Sequence, residues 1–346
     1  METFWFIILV VMLTLYVVLD GFDLGVGIIH LLVAKTNSER KTTLNAIGPL
    51  WDGNEVWLIG AGGVLYMAFP KMYASTFSGF YLPLMIVLWL LMLRALAIEF
   101  RRHIENEMWQ SLWDVVFSLS SLGLTILFGA ALGNILRGVS LNESGFFFAP
   151  LWTDFGVSGA VGIVDWYTIL ISAIAVAALA VHGALFLAYK TEGDVYHRSK
   201  HLAQRLWPVA ALISVIALVA TCWIRPGYLD KFVSHPWGFV FPLVAGIGLI
   251  LVIVFARRGR DGLAFVSSCL FIAVAGAATA FSLYPVLLLS TNEVADLTVT
   301  NSSSASYGLE IASRWFWIGF PPVVIYFIFL YYTFRGKVSS QRREHY

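Results

Sequence analysis

Residues 4–30 read F-W-F-I-I-L-V-V-M-L-T-L-Y-V-V-L-D-G-F-D-L-G-V-G-I-I-H, a strongly apolar run that nevertheless carries two acids, Asp20 and Asp23. About 20 apolar residues in a helix are enough to cross the hydrocarbon core of a bilayer. The whole chain has the same character, with 59% hydrophobic and 12% charged residues and a mean hydropathy of +0.79. Soluble domains carry about one quarter charged residues. The sequence therefore predicts an integral membrane protein.

Further apolar segments recur along the 346 residues, and we predict an all-α protein with nine transmembrane helices. The predicted spans lie near 4–30, 53–70, 77–100, 113–135, 164–189, 205–224, 237–256, 262–284 and 313–335. The spacing suggests a first four-helix group, an outer loop, a second four-helix group, a Ser/Thr-rich outer loop, and a ninth helix with a basic tail. These five parts are 1–135, 136–163, 164–284, 285–312 and 313–346.

The positions of Lys and Arg predict the orientation, because cytoplasmic loops are enriched in these residues. Sixteen of the 22 cations lie in the loops on one side and in the C-terminal tail, and only five lie on the other side. The remaining cation, Arg94, lies inside the third span. We therefore expect the N-terminus outside and the C-terminus in the cytoplasm. The chain has no basic stripe typical of nucleic-acid binding, so membrane lipid, not nucleic acid, is its expected environment.

Polar residues concentrate in the cytoplasmic half of the first three predicted spans. They are two acid pairs at i, i+3 spacing, one amide, one arginine and one further acid: Asp20, Asp23, Asp52, Glu55, Asn54, Arg94 and Glu99. A charge at the bilayer centre costs about 2.5–3.5 kcal/mol on insertion scales, so these groups must pair, bind protons or contact water. One arginine cannot neutralise all the carboxylates. The residues alone support two interpretations equally, a structural lock between helices or a path for protons.

Other residues in the spans have simpler interpretations. Trp51 and Trp57 are predicted to be interfacial anchors near the cytoplasmic face. His182 is the histidine placed well inside a predicted span, and we expect a hydrogen-bonded core residue there, since no second histidine is in place to complete a haem ligand pair. The spacings Gly21-x-x-x-Gly25 and Gly129-x-x-x-Gly133 are either close helix contacts or chance. No metal site and no catalytic residue are predicted. A transporter, a proton-conducting subunit and a membrane scaffold all remain open.

Six longer motifs give a specific resemblance. They are D-G-F-D-L-G-V-G at 20–27, P-L-W-D-G-N-E-V-W-L at 49–58, A-F-P-K-M-Y-A-S-T-F-S-G-F-Y-L-P-L at 68–84, R-A-L-A-I-E-F-R at 94–101, G-N-I-L-R-G at 133–138 and H-G-A-L-F-L-A-Y-K-T-E-G at 182–193. Together they resemble subunit II of the cytochrome bd-type quinol oxidases. The resemblance extends over essentially the whole chain, and its first three motifs are the most specific.

This resemblance implies a nine-helix subunit that pairs with a haem-bearing subunit I in the prokaryotic cytoplasmic (inner) membrane. Such a complex oxidises quinol and reduces dioxygen to water, and subunit I carries two haems b and one haem d. The resemblance also implies a small single-span third subunit. No redox centre is expected in the present chain.

The resemblance also implies roles for individual residues. A proton-inlet role is carried over to Asp20, Asp23 and Asp52, with Arg94 as their ion partner and Glu99 as a residue at the mouth of the path. Glu55 is a supporting polar residue, because some members of the family place Gln there. Two alternatives belong to other functional classes: a scaffold for subunit I without any proton role and, more remotely, an ion-coupled transporter.

Overall fold

A computed structural model of the chain describes residues 1–159, 161–292 and 296–338. Within these residues the chain forms twelve α-helices and one short two-stranded sheet. The helices are α1 Glu2–Val33, α2 Asn37–Ile47, α3 Trp51–Ala68, α4 Pro70–Gly79, α5 Tyr81–Phe100, α6 Glu107–Arg137, α7 Trp166–Lys190, α8 Gly193–Ile224, α9 Asp230–Ser234, α10 Val240–Arg257, α11 Asp261–Leu283 and α12 Ser306–Thr333. Strand β1 (Val286–Leu288) pairs antiparallel with β2 (Leu297–Thr298).

Eight of the described helical segments are long and apolar enough to cross a membrane, which confirms the predicted all-α membrane protein. They are α1, α5, α6, α7, α8, the segment Pro236–Arg257 that contains α10, α11 and α12. The second predicted span corresponds to α3, an 18-residue helix that is not among these eight. Helix α3 carries Asp52, Asn54 and Glu55 in its first two turns, and these residues lower its hydropathy.

Several helices extend beyond the predicted spans. Helix α8 begins at Gly193 instead of near residue 205, and α6 extends from Glu107 to Arg137. A short helix, α4, occupies part of the connection before α5. Hydropathy detects only the part of a helix that is apolar, whereas backbone hydrogen bonding continues into the polar ends. Span boundaries predicted from hydropathy are therefore too short at these ends.

Helix α7 is the most deeply buried of the eight segments, with 61% of its apolar window inside the protein. It crosses α1 where Gly25 meets Gly183, and a Cβ added at Gly25 would lie 1.9 Å from the carbonyl oxygen of Leu179. It crosses α6 where Gly129 meets the backbone of Ser172. Small residues let helix backbones approach this closely in membranes. The glycine spacings are thus true helix contacts.

Similar Cβ positions at the other two glycines support the same conclusion. A Cβ at Gly21 would lie 3.0 Å from the Leu179 side chain, and one at Gly133 would lie 2.9 Å from Cα of Thr168. All four glycines of the two spacings therefore face α7. Because α1 and α6 belong to the first predicted helix group and α7 to the second, the two groups share a continuous core.

The two long loops meet at one end of the bundle. The backbone N–H of Val139 donates to the Leu289 carbonyl at 3.0 Å, and the Asn292 amide donates to the Leu141 carbonyl at 2.9 Å. The start of α1 lies at the same end, where the Trp5 indole donates to the Leu309 carbonyl at 3.1 Å. Both predicted outer loops therefore share a side with the N-terminus.

Lys190 marks the opposite end of the bundle, where the last helix finishes. Its ammonium donates to the Gly336 carbonyl at 2.9 Å and also to the Phe334 carbonyl. The Val338 N–H donates back to the Lys190 carbonyl at 2.7 Å. The described part of the tail is thus attached to the end of α7. The predicted basic tail continues to Arg342 and Arg343, which lie outside the described residues.

Candidate functional site

A buried cluster of acids forms where α1, α3 and α5 meet, and Arg94 lies at its centre. Its guanidinium Nη1 lies 2.8 Å from Asp20 Oδ1, and its Nη2 donates to Glu55 Oε2 at 3.0 Å. The Arg94 and Asp20 side chains are 0% exposed, whereas the Glu55 side chain is 18% exposed. The structure therefore brings Arg94 together with two of the predicted acids, and one of the two reaches toward the surface.

Asp23 belongs to the same cluster but has a different partner. The Asn54 amide donates to Asp23 Oδ2 at 2.7 Å and to the Leu19 carbonyl at 3.2 Å. The hydroxyl of Tyr331, from α12, donates to Asn54 Oδ1 at 2.7 Å. The other Asp23 oxygen, Oδ1, is buried and has no hydrogen-bond partner among the described residues. Asp23 is therefore a buried carboxyl with a free acceptor atom and no direct cation.

The cluster carries more acid than its arginine can balance. Asp20, Asp23 and Glu55 together could carry three negative charges against the single positive charge of Arg94. Asp20 and Asp23 are on one helix face, one turn apart, and both are almost fully buried. An uncompensated buried charge is strongly unfavourable, so at least one of these carboxyl groups must hold a proton. The arrangement can therefore bind and release protons inside the protein.

The remaining predicted acids lie outside this cluster. Asp52 is in the first turn of α3 and is exposed, one helical turn before Glu55. Glu99 is near the end of α5, where its carboxylate pairs with Arg102 rather than with Arg94. The Glu99 and Arg102 side chains are 37% and 72% exposed. Asp52 is thus positioned at the surface beside the cluster, and Glu99 forms a separate surface pair.

The two predicted tryptophans occupy different environments. Trp51 begins α3 and is half-buried. Trp57 is buried, and its ring centroid lies 5.0 Å from that of Phe327 on α12. Trp57 therefore packs between two helices instead of facing out as an exposed anchor.

A second buried network, centred on Asp114, was not identified from the sequence. Its carboxylate contacts His30 Nε2 at 2.8 Å, Arg101 Nη2 at 3.1 Å and Arg40 Nη1 at 3.2 Å. Thr43 contacts the other ring nitrogen of His30 at 2.7 Å. This network ties α1, α2, α5 and α6 together. The signal available in the sequence was an acid one residue inside the fourth predicted span.

Arg101 is one of the sixteen loop and tail cations counted from the sequence, yet its side chain is buried against Asp114. Helix α5 ends at Phe100, and Arg101 is the residue that caps its C-terminus. Local charge patterning does not distinguish a solvated arginine from one that a neighbouring helix covers.

A third polar network lies at the end of the bundle that carries the long loops. Arg137 pairs with Asp165 and donates to Asn134 Oδ1 at 2.6 Å and to the Gly162 carbonyl at 3.2 Å. Asp165 also caps α7, because it accepts a hydrogen bond from the Thr168 N–H at 2.9 Å. The network holds the end of the 136–163 loop against the helices.

At the opposite bundle end, Glu39 links α2 to α8. Its carboxylate accepts hydrogen bonds from the backbone N–H groups of Lys35 at 2.6 Å and Thr36 at 3.0 Å, and it pairs with Arg198. Partial burial alone would raise the pKa of Glu39. The two N–H donors and the Arg198 guanidinium outweigh burial and hold this pKa below its usual range.

Two histidines are buried among the described residues, and protein atoms contact both ring nitrogens of each. His182 contacts Ser268 Oγ at 2.7 Å and the Val18 carbonyl at 2.9 Å, which confirms the prediction of a hydrogen-bonded core histidine. His30 is held by Thr43 and Asp114. Since an axial haem ligand needs a free ring nitrogen, neither side chain fits that role as arranged here.

Comparison with known proteins gives consistent matches over the whole chain. The family model for cytochrome bd terminal oxidase subunit II matches residues 1–334. The chain is 32% identical over 341 residues to cytochrome bd ubiquinol oxidase subunit 2 of Bacillus subtilis (strain 168), a match that covers 97% of this chain and 96% of that relative. It is 27% identical over 371 residues to cytochrome bd-I ubiquinol oxidase subunit 2 of Escherichia coli (strain K12), with 98% and 96% covered.

A solved structure has the same fold. A chain of the bd oxidase from Geobacillus thermodenitrificans superimposes with a TM-score of 0.76 at 18% sequence identity, over 96% of this chain and 98% of that chain. The family match and the described membrane-spanning helices confirm the resemblance inferred from the motifs. The chain therefore belongs to the cytochrome bd terminal oxidase subunit II family and is a multi-pass membrane subunit of an oxidoreductase complex.

Proposed function

We propose that this chain supports a haem-bearing subunit I and supplies the complex with a proton-uptake path from the cytoplasm. In the complex, quinol is oxidised and dioxygen is reduced to water. Two haems b and one haem d are assigned to subunit I, and a small single-span subunit completes the assembly. The membrane is the cytoplasmic (inner) membrane of a prokaryote.

The proposed topology has nine crossings, with α3 as the ninth beside the eight apolar segments. Helix α3 supports this count because it packs along α1 and its far end leads through α4 back into α5. The bundle end with α2 and Lys190 is proposed to be cytoplasmic, because most Lys and Arg residues are there. The N-terminus and the two long loops are then outside.

The observation that carries the proton path is the excess of buried carboxyl groups over cations around Arg94. A structural lock needs one carboxylate for one guanidinium, and the Asp20–Arg94 pair alone would suffice. Asp23 and Glu55 are additional acids within the same buried cluster, and no described residue forms a hydrogen bond with Asp23 Oδ1. Intramembrane carboxyl groups of this kind serve as proton relays in many membrane proteins.

A graded exposure of the acids supports a direction for the path. Asp52 is exposed at the start of α3, Glu55 is partly exposed one turn further along, and Asp20 is fully buried on the other side of Arg94. Residues three apart on a helix are neighbours on its surface. Protons would enter at Asp52, with Glu99 near the mouth, and reach Asp20 and Asp23, with Glu55 as a supporting polar group beside the path.

The test compares Asp20→Asn and Asp52→Asn in the purified complex with subunit I. Each variant removes a proton-binding group while its amide keeps a similar volume. We expect assembly with normal haem content, a reduced rate of quinol-driven oxygen consumption, and slower proton uptake from the cytoplasmic side of proteoliposomes. Asp154→Asn is the matched control, because Asp154 is an exposed loop acid far from the cluster. Unchanged turnover and proton uptake in both variants would refute the path.

The second candidate is a scaffold in which the cluster only locks helices together. It is favoured by the geometry of Arg94, which bridges α5 to both α1 and α3. A scaffold predicts that Asp20→Asn reduces thermal stability and yield, while the turnover per haem stays at the wild-type value. The proton path predicts a lower turnover per haem as well, so turnover per haem in the same preparations separates the two candidates.

A further inference from the structure

Tyr331 connects the last helix to the buried acids. Helix α12 is weakly embedded, with only 6% of its apolar window buried within the chain. Tyr331 is half-buried near its end, and its hydroxyl donates to Asn54 Oδ1 at 2.7 Å. The two residues are 277 positions apart in the sequence. A helix with few internal contacts thus places a polar group beside Asp23.

The orientation of the Asn54 amide follows from its neighbours. The Leu19 carbonyl can only accept a hydrogen bond, so the amide nitrogen must face it. The amide oxygen then faces Tyr331, and the second N–H of the amide points at Asp23 Oδ2. All hydrogen-bonding groups of this amide except one lone pair of its oxygen are satisfied. The chain of donors therefore runs from Tyr331 through Asn54 to Asp23.

This chain of donors favours the charged form of Asp23. Hydrogen bonds to a carboxylate stabilise its ionised state, and linked hydrogen bonds polarise one another. Without the Tyr331 hydroxyl, the buried Asn54 oxygen would lose its partner, and the amide would be held only by Leu19 and Asp23. The amide would then donate more weakly to Asp23.

We propose that Tyr331 is a positioning residue, which acts through Asn54 on the proton affinity of Asp23 and makes α12 part of the proton site. This inference rests on the proposed proton path. Tyr331 contacts Asn54 and not the Asp23 carboxylate, so its effect is indirect. The charged and titratable groups that act on Asp23 are Asp20 on α1, Glu55 on α3 and Arg94 on α5. Cys269 on α11 is close enough to Tyr331 to interact with it electrostatically.

The attachment of the tail explains how a weakly embedded helix can hold this position. Tyr331 lies one turn before Phe334, whose carbonyl accepts a hydrogen bond from Lys190. The Gly336 carbonyl accepts a hydrogen bond from the same Lys190 ammonium, and the Val338 N–H donates one to the Lys190 carbonyl. Lys190 thus holds the end of α12 at a defined depth beside α7. The Tyr331 hydroxyl is kept level with Asn54 as a result.

The experiment uses the complete complex and the variant Tyr331→Phe, which removes one hydroxyl and keeps the ring. We expect normal haem content and a pH profile of turnover whose proton-binding limb moves to higher pH by about 0.5–1 unit, the equivalent of one neutral hydrogen bond. Tyr332→Phe is the matched control, because Tyr332 is exposed and its contact with Arg335 involves the ring. It should leave the profile unchanged.

A second measurement does not depend on turnover. Infrared difference spectra recorded on changing pH report carboxyl groups that gain protons, and the band lost in Asp23→Asn identifies Asp23. This band should titrate at higher pH in Tyr331→Phe. In an Asn54→Ala background the same tyrosine change should have no further effect, because the connection is already broken. Should Tyr331→Phe not assemble, Asn54→Ala tests the relay through this amide: the Asp23 band should titrate at higher pH, and an unshifted band would overturn the relay.

The outcomes separate this inference from the function on which it rests. If Asp23→Asn slows proton uptake but Tyr331→Phe shifts neither the profile nor the Asp23 band, the positioning role is overturned and the proton path stands. If Asp23→Asn leaves proton uptake unchanged, the path fails at this residue. A shift of the band in Tyr331→Phe would then still establish the hydrogen-bond connection, and an unshifted band would overturn it.

Discussion

Removal of the Arg94 guanidinium should destabilise the protein more than any single removal of one of its partners. In Arg94→Met, Asp20 remains fully buried and loses the cation 2.8 Å away. Breaking a buried ion pair by removing one partner costs about 3–5 kcal/mol. Glu55 loses its partner as well, but its side chain is partly exposed and can turn toward water. Most of the cost therefore comes from Asp20.

Removal of the Asp20 carboxylate should destabilise the protein less than removal of the Arg94 guanidinium. In Asp20→Asn, Arg94 keeps its hydrogen bond to Glu55, so the expected loss is about 1–2 kcal/mol. In the double variant Asp20→Asn with Arg94→Met, position 20 no longer carries a carboxylate that has lost its cation, and we expect this variant to recover about 2 kcal/mol relative to Arg94→Met alone. The two substitutions should thus be strongly non-additive.

The assay is thermal denaturation of the purified complex, followed by haem absorbance and tryptophan fluorescence. At roughly 2–4 °C per kcal/mol, Arg94→Met should lower Tm by about 6 °C or more. Arg102→Met is the control, because this exposed arginine forms only a surface pair with Glu99. A Tm for Arg94→Met within about 1 °C of wild type, or a double variant no more stable than Arg94→Met, would refute the reasoning.

Three further predictions follow from contacts elsewhere in the fold. Gly25→Ala should lower Tm by about 2–10 °C, since its Cβ would collide with the backbone of α7. Gly246→Ala is the control and should leave Tm unchanged, because a Cβ there meets nothing within 4 Å. Equal Tm values for the two variants would contradict the helix crossing. Lys190→Met should release the tail, which trypsin would then cut faster after Arg335; an unchanged cleavage rate argues against the attachment. Glu39→Gln should lower thermal stability at neutral pH. Because the folded-state pKa is depressed, this difference should vanish as pH falls below about 4, and a difference that persists there would count against the ion pair.

Much of the fold could be predicted because membrane insertion depends on local properties of the chain. Runs of apolar residues identified the eight described segments that are long and apolar enough to cross a membrane, and Asp20, Asp23 and Arg94 were recognised as one group because insertion penalises each charge individually. His182 was correctly predicted as a hydrogen-bonded core residue from its depth and the lack of a second histidine in its position. The motifs around 20–27, 49–58 and 68–84 were long enough to indicate the family.

The partners of these residues were decided by the tertiary structure. An i, i+3 spacing places two acids on one helix face, but it does not specify which neighbouring helix that face meets. Helix rotation and packing therefore determined that Arg94 joins Asp20 to Glu55, and that Glu99 instead pairs with Arg102. The same packing left Asp52 exposed.

Helix rotation and packing also determined the contact between Tyr331 and Asn54 and the network around Asp114. Each joins residues that are far apart in the sequence and whose local surroundings carry no signal of their partners. The sequence by itself determined the membrane environment, the helical spans and the family, because these depend on composition and on short motifs. Only the tertiary structure decided which buried polar groups meet, because that depends on how the helices are rotated and packed against one another.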